Sequence, residues 1–231
     1  MLKKVFLLII ILLTGVELMA QDSFERPVEE AFNRVTLLGN YEVILKKGEA
    51  GKVEVFNSDD DLDDDRILAE VKEKELKVRI KMDTYSERDL KIIITYVDLI
   101  DVTAKFGCVV RIPDTLERNQ MELNVESGGK IDATVNVNRL EASIATGGSI
   151  HVDGKAAVAA YSIKAGGTIG AANLNATKVE ADVSMGGEII CQADEVLRVK
   201  ILSGGEVSYI GDPETFEQKV TFGGTITRIK K

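Results

Sequence analysis

The second half of this chain is punctuated by paired glycines, at Gly128-Gly129, Gly147-Gly148, Gly166-Gly167, Gly186-Gly187, Gly204-Gly205 and Gly223-Gly224. Successive pairs are 19, 19, 20, 18 and 19 residues apart. A fixed short period is the mark of stacked units, none of which buries its own apolar face.

The residues around each pair identify the units as strands. Two positions beyond the pairs stand Ile131, Ile150, Ile169, Ile189, Val207 and Ile226, and three positions before them stand Val125, Ile144, Ile163, Val183, Ile201 and Val220. Stepping outward by two adds Leu123, Ala142, Tyr161, Ala181 and Val199 upstream and Ala133, Val152, Ala171, Cys191 and Tyr209 downstream. Polar residues such as Asn124, Ser143, Asp182, Lys130, Ser149 and Glu188 fill the intervening sites. This alternation has the period of a strand with one buried face.

A unit of this length has no room for strand, helix and second strand, and the leucine-rich frame is absent. The expected fold is all-β, a right-handed parallel β-helix with coils of about 19 residues, its equivalent residues laddered about 4.8 Å apart. Glycine serves the corners because it reaches positive φ without a Cβ penalty and lets stacked corners approach closely. The frame extends upstream: Ile100, Val102 and Ala104 precede Gly107-Cys108, and Val110 and Ile112 follow, which predicts a seventh coil.

The first half is less regular. Val35 and Leu37 precede Gly39, Tyr41, Val43 and Leu45 follow it, and further strands are expected at Val53–Phe56, Leu76–Ile80 and Leu90–Tyr96. Residues 24–98 therefore read as irregular coils or a strand-rich cap, and 99–231 as the regular repeat, within one domain spanning 21–231. Asp59, Asp61, Asp63, Asp65 and Glu70 fall at positions 1, 3, 5, 7 and 12 of a calcium-loop template, but Asp64 stands where the turn needs glycine and no helical period flanks the loop. A solvated charged turn is the expectation, and no metal site is assigned.

Residues 1–20 have the layout of a secretory signal: Lys3 and Lys4, the apolar run Val5–Leu13, then Ala20 before Gln21-Asp22. The run is short for a membrane span, which takes about 20 residues, and no later segment is long enough. Removing it takes away two Lys and one Glu, so the remaining 211 residues carry 27 basic and 37 acidic groups, a charge of −10. No Cys lies at the cleavage point to accept a lipid anchor. The chain is expected to be exported to the periplasm or the cell surface.

An acidic chain lacks the field that displaces counterions from phosphate, so nucleic acid is not an expected partner. One His and two Cys are too few for a metal cage or a disulfide framework. His151 lies on the outward side of its strand with no nucleophile inferable beside it. Cys108 and Cys191 belong to coils four steps apart, about 19 Å by strand spacing, too far for a disulfide, and are expected to be free. Glu188 and Glu206 occupy equivalent sites after adjacent corners, where stacking places their carboxyls within reach of the roughly 5–5.5 Å separation of a retaining glycosidase. No Trp or aromatic ladder accompanies them.

The exported chain, the block F-x-x-V-x-x-x-G-x-Y-x-V-x-L from Phe32 to Leu45, the serial GG-x-[I/V] corners and the turn Tyr209-Ile210-Gly211-Asp212-Pro213 together resemble the putative auto-transporter adhesin, head GIN domain family. The resemblance implies a right-handed β-helix outside the inner membrane and an adhesin role, and it brings no catalytic residues and no cofactor. The expected function is a non-enzymatic cell-envelope module that contacts protein or glycan through a solenoid flank. The alternative is a polysaccharide-active lyase or glycosidase using Glu188 and Glu206. A third reading is self-association through the solenoid ends. The corner glycines are expected to serve a conformational role, the alternative being a strip without side chains along which a sugar or a partner's backbone lies.

Overall fold

The protein is described by a computed structural model over residues 22–57, 67–80 and 90–230. The expected signal sequence and the acidic run Asp59–Asp65 lie outside the described residues. Among these residues every regular element is a strand, and all sixteen join through continuous pairing.

The regular part is built from β9 (Val109–Glu126), β10 (Lys130–Thr146), β11 (Ser149–Ala165), β12 (Thr168–Met185) and β13 (Glu188–Ser203), each parallel to the next. Each strand runs unbroken from one glycine corner to the next, so the two strands read for each unit are halves of neighbouring bent strands. Its first half lies on what we call the trailing flank, just after a corner, and its second half on the leading flank, approaching the next.

The apolar positions that set the period stack directly. On the trailing flank Val110, Ile131, Ile150, Ile169, Ile189 and Val207 are successive partners. On the leading flank Ala104, Val125, Ile144, Ile163, Val183 and Ile201 are. All twelve are at most 2% exposed, and complete burial of a Val or Ile side chain stabilises by about 1.5–3 kcal/mol. The unequal spacings are absorbed where β12 bulges, between Gly170 and Leu174 against β11 and between Ala171 and Asn175 against β13. Ile100 departs from the expected frame and is exposed, whereas Val102, Ala104, Val110 and Ile112 are buried as the seventh coil requires.

Stacking order and chain order part company in the first half. β2 (Arg34–Leu38) and β3 (Glu42–Lys47) form a coil around Gly39. This coil is inserted between the one made by β6 (Glu75–Ile80) with β7 (Leu90–Tyr96) and the one made by β8 (Asp101–Lys105) with the start of β9. The later segment thus lies under the earlier one, pinned by the Tyr41 hydroxyl, which donates to the Val78 carbonyl at 2.9 Å. Beyond that first layer the chain turns antiparallel: β4 (Lys52–Asn57) pairs β7, β1 (Asp22–Pro27) pairs β4, and β5 (Ile67–Lys72) pairs β6. These strands close the N-terminal end, where Val53, Val55, Ile67, Leu76 and Val78 are fully buried.

At the other end none of the described residues caps the last coil. β14 (Glu206–Ile210) pairs β13 and β16 (Thr225–Arg228), and β15 (Thr215–Phe222) pairs β13, so β15 and β16 form the last coil. Every residue of β15 is exposed.

Two kinds of corner occur. At the first two, Phe106 and Gly107, then Ser127 and Gly128, take the left-handed conformation, with φ of 58°, 83°, 50° and 84°. Cys108 and Gly129 follow the turn and need no positive φ, which is why a cysteine is tolerated at a glycine position. From Gly147-Gly148 onward both glycines are left-handed. A Cβ on Gly148 would stand 2.3 Å from the Gly129 carbonyl oxygen, which accepts the Ser149 N–H at 3.0 Å. The close-approach reason for glycine applies to this second position. The first, Gly147, has nothing within 4 Å of its would-be Cβ.

Candidate functional site: a polar trough on the leading flank

On the leading flank one outward position repeats as Lys77, Thr36, Thr103, Asn124, Ser143, Ser162, Asp182, Lys200 and Lys219 in successive layers. Strand alternation aims these side chains away from the core, and stacking turns them into a column about 4.8 Å per step. Five consecutive members, Thr36 to Ser162, are short hydroxyl or amide side chains, so the column is a trough between longer neighbours. Along one side runs Arg34, Asp101, Glu122 and Glu141, and along the other Leu38, Lys105 and Glu126, where Lys105 Nζ lies 3.0 Å from Glu126 Oε2.

The trough is wired internally. Ser143 Oγ donates to Asn124 Oδ1 at 2.6 Å, and Asp101 Oδ1 accepts from Asn124 Nδ2 and from Thr103 Oγ1, both at 3.3 Å. Partial burial holds the Asp101 carboxyl above the usual carboxylate range, opposed by the hydrogen bond from Asn124. A cleft of about 280 Å³ follows the column, lined by Thr36, Thr103, Asn124, Ser143 and Lys164 among others. A second of about 450 Å³ adjoins it at Arg34, Asp101 and Glu122, and a third of about 230 Å³ lies further along the same flank between Glu180, Arg198 and Glu217.

Phe106 stands beside the trough. It follows Lys105, whose side chain lines the cleft, and it is 57% exposed at the left-handed φ of the corner. A bulky residue in that conformation costs about 1–2 kcal/mol relative to a relaxed backbone, and such strain concentrates at functional sites. Sequence reading does not find it, because Phe106 is apolar beside a glycine and passes for a core residue.

The residues singled out from the sequence fall elsewhere. Glu188 and Glu206 are direct partners on the trailing flank, as expected, but neither lines any of the three clefts; the polar contact of Glu206 is with Ser208 Oγ at 3.4 Å. His151 is half-exposed on the trailing flank with Nε2 3.4 Å from Asp153 Oδ1, and its register partners are Asp132 and Gly170. Cys108 and Cys191 are free and buried, and burial pushes each thiol up to about 12. Among the described residues no group of His, Cys, Asp and Glu is arranged to hold a metal ion, and no helix is long and apolar enough to cross a membrane.

The fold has known counterparts. A putative adhesin from Bacteroides fragilis NCTC 9343 superposes with a TM-score of 0.82 at 23% identity, over 90% of this chain and 97% of that one. A putative lipid binding protein from Parabacteroides distasonis ATCC 8503 gives 0.70 at 21% identity over 90% and 97%, and a putative adhesin from Parabacteroides merdae ATCC 43184 gives 0.69 at 20% over 90% and 95%. At these identities the likeness speaks for the fold. No curated protein matches the sequence. The family profile described as "Putative auto-transporter adhesin, head GIN domain" matches residues 31–213, from the first coil to the turn before the last, and the chain belongs to that family.

Proposed function

We infer that the protein is an exported, non-enzymatic binding module of the cell envelope, and that the trough on its leading flank takes a linear glycan. The observation that carries this reading is the column of short hydroxyl and amide side chains through five consecutive coils, set between a carboxylate-bearing row and a lysine-bearing one. A linear glycan offers hydroxyls at a regular interval, and each hydrogen bond exchanged for one with water nets about 0.5–1.5 kcal/mol. Such a site is individually weak and gains from many copies on a surface, which suits an adhesin-like role.

A protein partner would call for an apolar or aromatic centre ringed by polar groups, and the trough has none beyond Phe106 at its edge. A lipid, as the name of one structural counterpart raises, needs an apolar cavity, whereas the interior here is filled by the stacked ladders. Export rests on the basic and apolar opening of residues 1–20 with Ala20 before the first polar residues. Hydrolysis or elimination by Glu188 and Glu206 is the weaker reading, since the pair has no cleft and no aromatic or basic companion.

A glycan array probed with the wild-type protein and with Ser143→Arg and Ser162→Arg tests the assignment. Each arginine fills the trough from an outward position and leaves the core untouched. Expected is selective binding of linear glycans by the wild type, reduced at least tenfold in both variants. Failure of the wild type to bind any glycan, or binding unchanged in folded variants, contradicts it.

A further inference from the structure

The last described coil carries the pattern of an interior layer, and none of the described residues covers it. One coil earlier, Leu197 and Ile201 are at most 1% exposed; their partners Phe216 and Val220 are 40% and 42% exposed, and Phe222 is 72% exposed. Among the described residues no strand pairs with the outer edge of β15 or β16. An unpaired edge with apolar residues is a template for strand addition. At this end the Tyr209 and Phe216 rings lie 5.3 Å apart between centroids.

We propose that this open coil is covered by the same coil of a second copy of the chain, giving an end-to-end dimer in which β15 pairs antiparallel with β15 of the copy about a twofold axis through Gln218. Two constraints select the register. Directly opposite residues of an antiparallel pair point to the same face, so inward Phe216, Gln218 and Val220 must meet inward residues, and outward Glu217 and Lys219 outward ones. That leaves pairings centred on single residues, of which those centred on Gln218 or Lys219 pair the greatest length of β15. Centring on Glu217 or on Lys219 sets like charges against each other. Centring on Gln218 sets Glu217 opposite Lys219 twice, Phe216 opposite Val220 twice, and Gln218 against its own copy.

The N-terminal end is a poor alternative seat for the partner. Its apolar side chains are already covered by the antiparallel strands, with Val53, Val55 and Ile67 fully buried, and Pro27 in edge strand β1 offers no N–H. A self-complementary contact closes as a dimer, whereas head-to-tail stacking would continue into a filament. The twofold axis runs through the leading flank, so the two leading flanks join into one face. The dimer is inferred from the last coil alone and does not depend on what the trough binds.

Sedimentation of the full chain over a wide concentration range is expected to give one species of twice the chain mass, dissociating on dilution. Glu217→Lys and Lys219→Glu should each shift the equilibrium to monomer by tenfold or more in dissociation constant, and the double exchange should restore the dimer. Because Glu217 also lies 3.1 Å from Arg198 of its own chain, melting of each variant is measured alongside. A second probe avoids these charges: Gln218→Cys should form an intermolecular disulfide on mild oxidation, while Phe216→Cys, opposite Val220, should not. Monomer at every concentration, growth beyond two copies, no rescue by the double exchange, or equal cross-linking by both cysteines would overturn the proposal.

Discussion

Phe106 and Gly148 show how one backbone conformation serves two purposes. At Phe106 the left-handed turn holds a large apolar side chain in solvent next to Lys105, at a conformational cost that glycine would not incur. Phe106→Gly should therefore raise stability by about 1 kcal/mol while weakening glycan binding; a variant that melts lower would show that the ring packs usefully in the fold. Gly148 is held by both conformation and crowding. Gly148→Ala drives a methyl into the Gly129 carbonyl and is expected to cost more than about 2 kcal/mol, whereas Gly147→Asn, with open space and a residue that tolerates positive φ, should cost less than about 1 kcal/mol. Equal losses in thermal unfolding would contradict the different surroundings of the two glycines. Such distinctions are invisible in the sequence, where both are simply members of a pair.

The buried thiols belong to the same scale. Cys108 and Cys191 replace small core neighbours, and burial keeps them protonated far above neutral pH. Iodoacetamide should leave the native protein unlabelled and add two groups per chain on unfolding without reductant, as read by mass spectrometry. Their free state was legible from spacing alone, because four coils separate them.

At the scale of the element, the coil is the unit that matters. Deleting residues 149–167 joins Gly148 to Thr168, removes one whole coil and leaves every ladder in register, so a shorter solenoid should still melt cooperatively. Deleting nine residues of that coil shifts the alternation by an odd number and turns its apolar set toward solvent; that variant should not fold. The trough tests a second property of the element. The native state holds Asp101 protonated to a higher pH than the unfolded chain does, so its contribution to stability falls as pH rises above the ordinary carboxylate value of about 3.9. Asp101→Asn removes that dependence and keeps an acceptor for Asn124. Its melting temperature should vary less with pH than the wild type's just above that value, and an identical slope would place the titration elsewhere.

Across the whole molecule, what repeats could be read and what does not repeat could not. The glycine period and the flanking β-branched positions specify stacked coils from residue 99 onward, because one residue type recurs at one site in every layer. The first half has no such redundancy. Nothing in the text around Gly39 says that its coil lies above a segment synthesised later, or that β1, β4 and β5 turn antiparallel to close the end. The trough was equally hidden, since Thr36, Thr103, Asn124, Ser143 and Ser162 look like any outward polar residues until their layers are stacked and their longer neighbours placed on either side.

Stacked coils make Ser143 and Ser162 direct neighbours in adjacent layers. Oxidation of a Ser143→Cys/Ser162→Cys variant, followed by intact mass and peptide mapping, tests that most directly. Stacking in register brings the two Cα atoms to about 4.8 Å, inside the range for a disulfide, so an intramolecular bridge should form readily. A Ser143→Cys/Asp182→Cys control, two coils apart, should remain reduced. Bridging of the control in place of the test pair, or of neither, would contradict the stacked coils.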